Sequence, residues 1–374
     1  MKIIADDKIP FLDGVFEPYG INVVYKKGSE ICREDLLDAD ALIVRTRTKC
    51  NAELLHDTAV KVVATATIGT DHVNIAELEQ MGIAFFSAPG CNAMSVQQYV
   101  ICALLHIGEK HKISLSGKTL GIIGVGHVGS AVADAAAKMG MKVLLNDPPR
   151  AAKEGSSAFI ELDKLLAEAD FVTLHVPLDE TTKYLAGEDF FKRMKSSAFF
   201  INSSRGKVCN NKILKDVLQQ HRIAGAVLDV WENEPDIDIE LQKLLELGTM
   251  HIAGYSADGK ANGTSMSVKN IANTLKIKEL QNFKINSLSS GGLITFESGD
   301  FTPQEILTMA AKNAYDISRD SDALLKNPQD FEKLRGDYYC RREFNGWTAD
   351  CANLPSASIE LLKKMNFRII NQEK

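Results

Sequence analysis

Three apolar runs in this sequence each lead into residues able to do proton and carboxylate chemistry. The run at 199–202 opens into Ser203-Ser204-Arg205-Gly206, and the run at 226–228 into Asp229-Val230-Trp231-Glu232-Asn233-Glu234. The third segment is Met250-His251-Ile252-Ala253-Gly254-Tyr255. A histidine can take or give a proton near neutral pH. A carboxylate such as Glu234 beside it would favour the imidazolium. Arg205 presents a planar fork that matches a carboxylate bidentately and can polarise a neighbouring oxygen. Asp229 could fix the amide or ring edge of a flat cofactor. As a set, these groups suit loss of a proton from a secondary alcohol whose carbon gives up a hydride. Taken singly each is weak: a lone histidine after a strand is more often structural, and Arg205 could be an ordinary ion-pair partner.

A hydride needs an acceptor, and Gly124-Val125-Gly126-His127-Val128-Gly129 provides for one. A lone motif of this kind says little. Here an apolar run precedes it, a helical pattern (130–139) follows, and the next apolar run ends at Asp147. Gly124 permits the tight turn, Gly126 lets backbone N–H groups approach a pyrophosphate, and Gly129 lets the helix pack on the sheet. The positive helix end then faces the phosphates. Asp147 is expected to accept from the ribose hydroxyls and to repel a 2′-phosphate, which selects NAD over NADP.

These groups must be positioned by a scaffold, and the chain reads as α/β. Apolar runs at 2–5, 22–25, 41–44 and 62–65 are separated by helices or connections. A long helical pattern covers 93–111. A second series has runs at 120–123, 142–145, 171–174, 199–202 and 226–229, then a helix over 263–279. This alternation marks parallel sheets covered by helices, and ligands in such sheets sit beyond the carboxyl ends of the strands. The Ser- and Gly-rich stretch 286–300 reads as a boundary. Helices over 303–319 and 328–341 and a short αβ tail ending in 367–370 complete a third, smaller domain. Composition excludes other classes. A formal charge of −6 argues against nonspecific nucleic-acid or anionic-membrane binding. Seven cysteines, an odd number with no CxxC pair, suit reduced thiols, and no metal is expected. The N-terminus has no signal-peptide pattern, so the expectation is a cytoplasmic protein.

The ordered Arg205, Glu234 and His251 behind a dinucleotide fold resemble the D-isomer-specific 2-hydroxyacid dehydrogenase family. Further stretches carry the likeness: 64–73 (ATATIGTDHV), 88–93 (APGCNA), 146–150 (NDPPR), 251–255 (HIAGY), 315–320 and 331–335. The last two resemble the tail found in one branch of that family. The resemblance implies two Rossmann-like doubly wound parallel-sheet domains plus a small α+β C-terminal dimerisation domain. The substrate domain would be discontinuous, 1–94 with 256–284. The NAD-binding domain would span 95–255 and the dimerisation domain 285–374. It implies Arg205, Glu234 and His251 as catalytic residues. It implies Gly124, Gly126, His127, Val128, Gly129, Asp147, Val176, Ser203, Ser204, Arg205, Asp229 and Gly254 around NAD. Arg45, Thr46, Thr67, Gly90, Cys91, Asn92 and Tyr255 would contact a small phosphorylated 2-hydroxy acid, in a homodimer. Arg45 at a strand end is one candidate cation for the phosphate; Arg341 and Arg342, reaching across a dimer, are weaker ones. Cys91 is not expected to be a nucleophile, because hydride transfer needs none. Val176 stands where this family often has Thr, and Met250 where it often has Pro. Two other readings remain open at this stage: another D-2-hydroxy acid such as 3-phosphoglycerate, and a non-catalytic NAD-sensing binding protein.

Overall fold

In the computed structural model, which describes residues 1–370, the N-terminal apolar runs form a parallel sheet of five strands. These are β1 (Lys2–Asp6), β2 (Asn22–Lys26), β3 (Ala41–Val44), β4 (Val62–Thr65) and β5 (Ala84–Phe86), in the order β2-β1-β3-β4-β5. Successive side chains point to opposite faces. Ile3, Ala5, Ile43 and Ala64 therefore join one apolar cluster, and Ile4, Leu42, Val44 and Val63 the other. The helix Ala257–Leu275 seals the first face through Val268, Ile271 and Ala272. Both faces are covered, which is why these strands read as continuous apolar runs rather than alternating ones. Met1–Asn92 with Ser256–Leu288 make one compact unit.

The second unit comprises Ala93–Tyr255 and the chain from Ser289 on. Its main sheet holds β6 (Thr119–Ile123), β7 (Lys142–Asn146), β8 (Phe171–Leu174), β9 (Phe199–Asn202), β10 (Gly225–Leu228) and β11 (Leu247–Gly248). All pairings are parallel, in the order β11-β10-β9-β8-β6-β7. The order reverses between β6 and β8, which is where a doubly wound sheet opens its ligand crevice. The helix Ala93–Lys110 is buried nearly all round, with Tyr99, Val100, Leu104 and Ile107 fully enclosed. Such a helix needs neighbours on every side. The helix His127–Lys138 packs on it, as do Pro303–Ala314 and Ile317–Lys326 from the C-terminal part. That part carries a sheet of its own, β12 (Gly292–Ile294), β13 (Trp347–Asp350) and β14 (Arg368–Ile370), also parallel. No helix among the described residues is long and apolar enough to cross a membrane.

Several local expectations change. The helix foreseen at 263–279 starts at Ala257, because Ser256 Oγ accepts the Gly259 N–H and caps it, and ends at Leu275. The stretch 303–319 is two helices. Asp316 accepts the Ser318 N–H and hydroxyl and so starts the second one, leaving Tyr315 extended and buried between them. The expected helix over 328–341 is helical only through Phe331–Gly336 after a short 3-10 turn. The stretch 286–300 contains β12, and residues from Ser289 on pack into the same unit as the nucleotide fold. The last four residues of the stretch assigned to dimerisation, 285–374, lie outside the described residues.

Candidate active site

Gly124 leaves β6 with φ of 85°, and a Cβ there would meet the His175 carbonyl at 2.7 Å. That contact places the turn at the β6/β8 reversal. Gly126 is the N-cap of the helix His127–Lys138. A Cβ on Gly129 would lie 2.0 Å from the Gly124 oxygen, so glycine is required for helix and turn to meet. A Cβ on Gly126 would meet nothing within 4 Å. Glycine suits the N-cap, and the space over it is left open for a group to approach the backbone. His127 is exposed at the helix start and Val128 is half-buried.

Asp147, at the end of β7, is fixed twice. Its Oδ2 accepts the Val125 N–H at 2.8 Å and its Oδ1 the Arg150 N–H at 3.0 Å. Across the turn, Val176 packs against the buried cluster of β8 and β9. His175, which the sequence reading did not single out, is bonded to Thr173 Oγ1 at 3.1 Å, and burial pushes its imidazole down to about 3. It stays neutral at physiological pH beside the glycine turn. After β9, Asn202 Oδ1 accepts from the Ser204 N–H (3.0 Å) and hydroxyl (2.7 Å), and its Nδ2 donates to the Arg205 carbonyl. Asn202 thus sets the loop that presents Ser203, Ser204 and Arg205. The Ser203 hydroxyl is buried with no partner among the described residues. An orphaned hydroxyl and an open glycine cradle at a sheet reversal fit a dinucleotide.

Glu234 and His251 come together directly. His251 Nδ1 lies 2.8 Å from Glu234 Oε2, while Glu234 Oε1 accepts the Trp231 N–H at 2.8 Å. Burial pushes the Glu234 carboxyl up. The His251 bond and charge, the Trp231 amide and Arg335 more than offset that, so it is held below the usual carboxylate range. Arg205 and Glu234 are joined through backbone: a Cβ on Gly206 would sit 1.8 Å from the Trp231 oxygen. Asp229 is turned inward at 1 % exposure. Its carboxylate accepts from Thr249 Oγ1 and from the Ile252 and Ala253 amides, at 2.7, 2.8 and 2.9 Å. It acts on the loop that ends at Gly254 and Tyr255. Arg335 lies over the Tyr255 ring, 5.8 Å from its centroid.

The remaining candidates lie on the first unit. Arg45 makes a two-pronged pair with the fully buried Asp6, both bonds 3.1 Å. The guanidinium is thereby tethered rather than loose at the surface. Thr46 is exposed at the end of β3. Thr67 Oγ1 lies 2.8 Å from Thr65 Oγ1 and donates to the Gly69 carbonyl. Gly90 has φ of 76°, and the Cys91 carbonyl accepts from Asn262 Nδ2 at 3.1 Å. Asn92 Oδ1 is buried without a partner among the described residues.

Comparison with known proteins decides the family. Residues 106–257 match the NAD-binding domain of D-isomer specific 2-hydroxyacid dehydrogenases, and 294–365 match a domain of unknown function. An erythronate-4-phosphate dehydrogenase of Bacteroides fragilis is 43% identical over 353 residues, spanning 92% of this chain and 97% of that one. One from Salmonella schwarzengrund is 40% identical over 381 residues, with 99% of both chains covered. The chain belongs to the erythronate-4-phosphate dehydrogenase family. Solved structures of other proteins agree in fold. A Thermus thermophilus protein, TT0316, is 26% identical with a TM-score of 0.63, covering 75% of this chain and 97% of its own. A D-lactate dehydrogenase from Aquifex aeolicus, solved with NAD and lactic acid, is 24% identical with a TM-score of 0.60, again over 75% and 97%. This erythronate-4-phosphate dehydrogenase family member is an NAD-dependent oxidoreductase with the α/β architecture expected from its sequence.

The cofactor cradle yields a direct test. Gly126→Ala leaves the fold untouched, because its methyl group has room, but intrudes on the open space over the turn, where a pyrophosphate is expected. The variant is expected to melt like the wild type and to bind NAD roughly tenfold to a hundredfold more weakly, the usual cost of overpacking. Isothermal titration checks it; unchanged NAD affinity would remove the turn as the phosphate seat.

Proposed function

We propose that this chain oxidises 4-phospho-D-erythronate to (R)-3-hydroxy-2-oxo-4-phosphooxybutanoate with NAD, a step in pyridoxal 5′-phosphate biosynthesis. The observation that carries the chemistry is the 2.8 Å His251–Glu234 pair, one backbone contact away from Arg205. With Nδ1 held by an anionic carboxylate, Nε2 is the ring nitrogen left to take the proton of the 2-hydroxyl. Glu234 stabilises the imidazolium that forms. Arg205 orients the substrate carboxylate and polarises the reacting oxygen. NAD, when bound, accepts the hydride from C2. The glycine turn with His127 and Val128, Asp147, Val176, Ser203, Ser204, Arg205 and Gly254 hold the cofactor, while Asp229, foreseen as a cofactor contact, is buried and acts only through the turn it grips. Arg45, Thr46, Thr67, Gly90, Cys91, Asn92 and Tyr255 are assigned to substrate. The identity of 40% and more with proteins of that name along nearly the whole chain supports this substrate over other 2-hydroxy acids. The C-terminal part is assigned to homodimerisation and the enzyme to the cytoplasm.

The test is NAD-linked turnover of 4-phospho-D-erythronate beside 3-phosphoglycerate and D-lactate, with the product carbonyl trapped. The phosphorylated erythronate is expected to be turned over at least tenfold better, in kcat/KM, than either competitor, as for a site that pairs a charged substrate group. Preference for another acid would move the substrate. NAD binding without turnover of any acid would favour a binding protein.

A further inference from the structure

Arg341 is buried to 2 % exposure, yet its hydrogen bonds go to neutral oxygens. Nη1 donates to the Ile252 and Tyr255 carbonyls at 3.0 and 3.1 Å, and Nη2 to the Ala253 carbonyl at 2.7 Å. Nε reaches Gln98 Oε1 at 3.1 Å, and Nη2 also reaches Ser95. The guanidinium lies 4.1 Å from the centroid of the Tyr315 ring. Its charge is balanced at second hand, through the Tyr338 hydroxyl, which donates to Asp320 at 3.0 Å.

Three of these acceptors belong to the turn that directly follows His251. The same turn is gripped from its donor side by Asp229, through the Ile252 and Ala253 amides, while the His251 N–H donates to the Asp229 carbonyl at 2.8 Å. His251 itself has φ of 57°, a left-handed conformation that a non-glycine residue holds only when its surroundings impose it. A buried cation is a costly way to fill space, and apolar side chains do that better. It is suited to holding several carbonyls of a strained turn in one geometry.

We propose that Arg341 is a positioning residue for the acid–base step: by clamping the Ile252, Ala253 and Tyr255 carbonyls, it fixes His251 against Glu234. The C-terminal part of the chain thereby sets the geometry of proton transfer, in addition to any role in assembly. This rests on His251 being the acid–base group.

Arg341→Lys keeps the charge but offers three donors from one point, which cannot serve carbonyls on two segments. It is expected to lower kcat on the order of 10²-fold, the effect of a misplacement of about 1 Å. NAD affinity should stay within about threefold, because the glycine turn is untouched. The acid limb of the pH–rate profile should move to lower pH, toward that of Glu234→Gln. In the cofactor-free protein, hydrogen exchange of the Ile252 and Ala253 amides should quicken about tenfold as the turn loosens. Wild-type kcat, pH profile and exchange would overturn the proposal. So would parallel loss of NAD affinity and activity with an unmoved acid limb, which is a general fold effect. If Arg341→Lys does not fold, Gln98→Met removes the Nε partner together with the Gln98 bond to the Arg342 carbonyl, and unchanged kcat and exchange in that variant overturn the proposal equally. His251→Ala run alongside separates the two ideas. Near-normal turnover there sinks the acid–base reading, and amide exchange still decides the clamp. Loss there with a normal Arg341→Lys enzyme sinks the clamp alone.

Discussion

His251→Ala is expected to lower kcat for the hydroxy acid on the order of 10³-fold, within the usual range for loss of a general base. NAD affinity should be unchanged within about twofold, because the histidine follows a different strand from the glycine turn and Asp147, the proposed seat of the dinucleotide. The partner residue gives the sharper readout. Glu234 has its carboxyl held below the usual range, so it is anionic throughout the neutral region. The sign follows from linkage. Its folded value is depressed, so the stability it contributes is full above the ordinary carboxylate pKa and is lost as pH falls through the lowered one. Near pH 7 the imidazole therefore always faces an anion. Glu234→Gln keeps an acceptor for the histidine N–H and the Trp231 amide but removes the charge. The imidazolium loses its main stabilisation, and the acid limb of kcat/KM should shift to lower pH while kcat falls at least tenfold. Steady-state rates between pH 5 and 10 check both. An acid limb that does not move in Glu234→Gln would mean that the 2.8 Å contact is structural only.

Why these groups could be read in the sequence, and others could not, follows from how local their signals are. The glycine turn, its helix and Asp147 lie within one strand–turn–helix–strand segment, so motif and context are adjacent. Arg205, Glu234 and His251 each follow an apolar run, and strand ends in a parallel sheet share one side. Arg341 was opaque. It read as a weak candidate cation reaching across a dimer, because its partners lie on segments around 95–98 and 252–255, far away in sequence. Arg45 read as a free cation for the same reason: Asp6, which holds it, sits 39 positions earlier. His175 went unnoticed because a single neutral histidine has no pattern; only burial beside the glycine turn gives it meaning. In the tail, 303–319 keeps helical spacing straight through Tyr315. The break comes from the Asp316 cap, and β12 is three residues long, too short to show a period, whereas the tail strand β14 falls where the sequence placed it. The fold was legible where periodicity runs long, and the site where chemistry is local to a strand end.

Gly206→Ala is expected to lower kcat/KM by two orders of magnitude or more without touching any group that reacts. A Cβ at Gly206 would lie 1.8 Å from the Trp231 oxygen, 2.1 Å from its carbonyl carbon and 2.7 Å from the Glu232 nitrogen. All three are backbone atoms, so no side chain can swing aside, and relief needs a main-chain shift of roughly 1–1.5 Å to reach ordinary carbon–oxygen contact. One side of the contact carries Arg205. The other carries Trp231, whose amide holds Glu234 Oε1 and whose indole N–H holds the Thr249 carbonyl at 2.8 Å. Whichever side yields, either the arginine or the carboxylate leaves its position relative to His251. A displacement of about 1 Å at a catalytic group costs on the order of 10²-fold. The contrast with Gly126→Ala identifies the cause. That variant should lose NAD affinity with its fold intact. Gly206→Ala should instead lose kcat, lower the melting temperature by several degrees, as expected of overpacking, and keep most of its NAD affinity. Titration of NAD beside steady-state kinetics on both variants decides it. If Gly206→Ala turns over at the wild-type rate, the two loops can slide past each other, and the contact does not couple Arg205 to the His251–Glu234 pair.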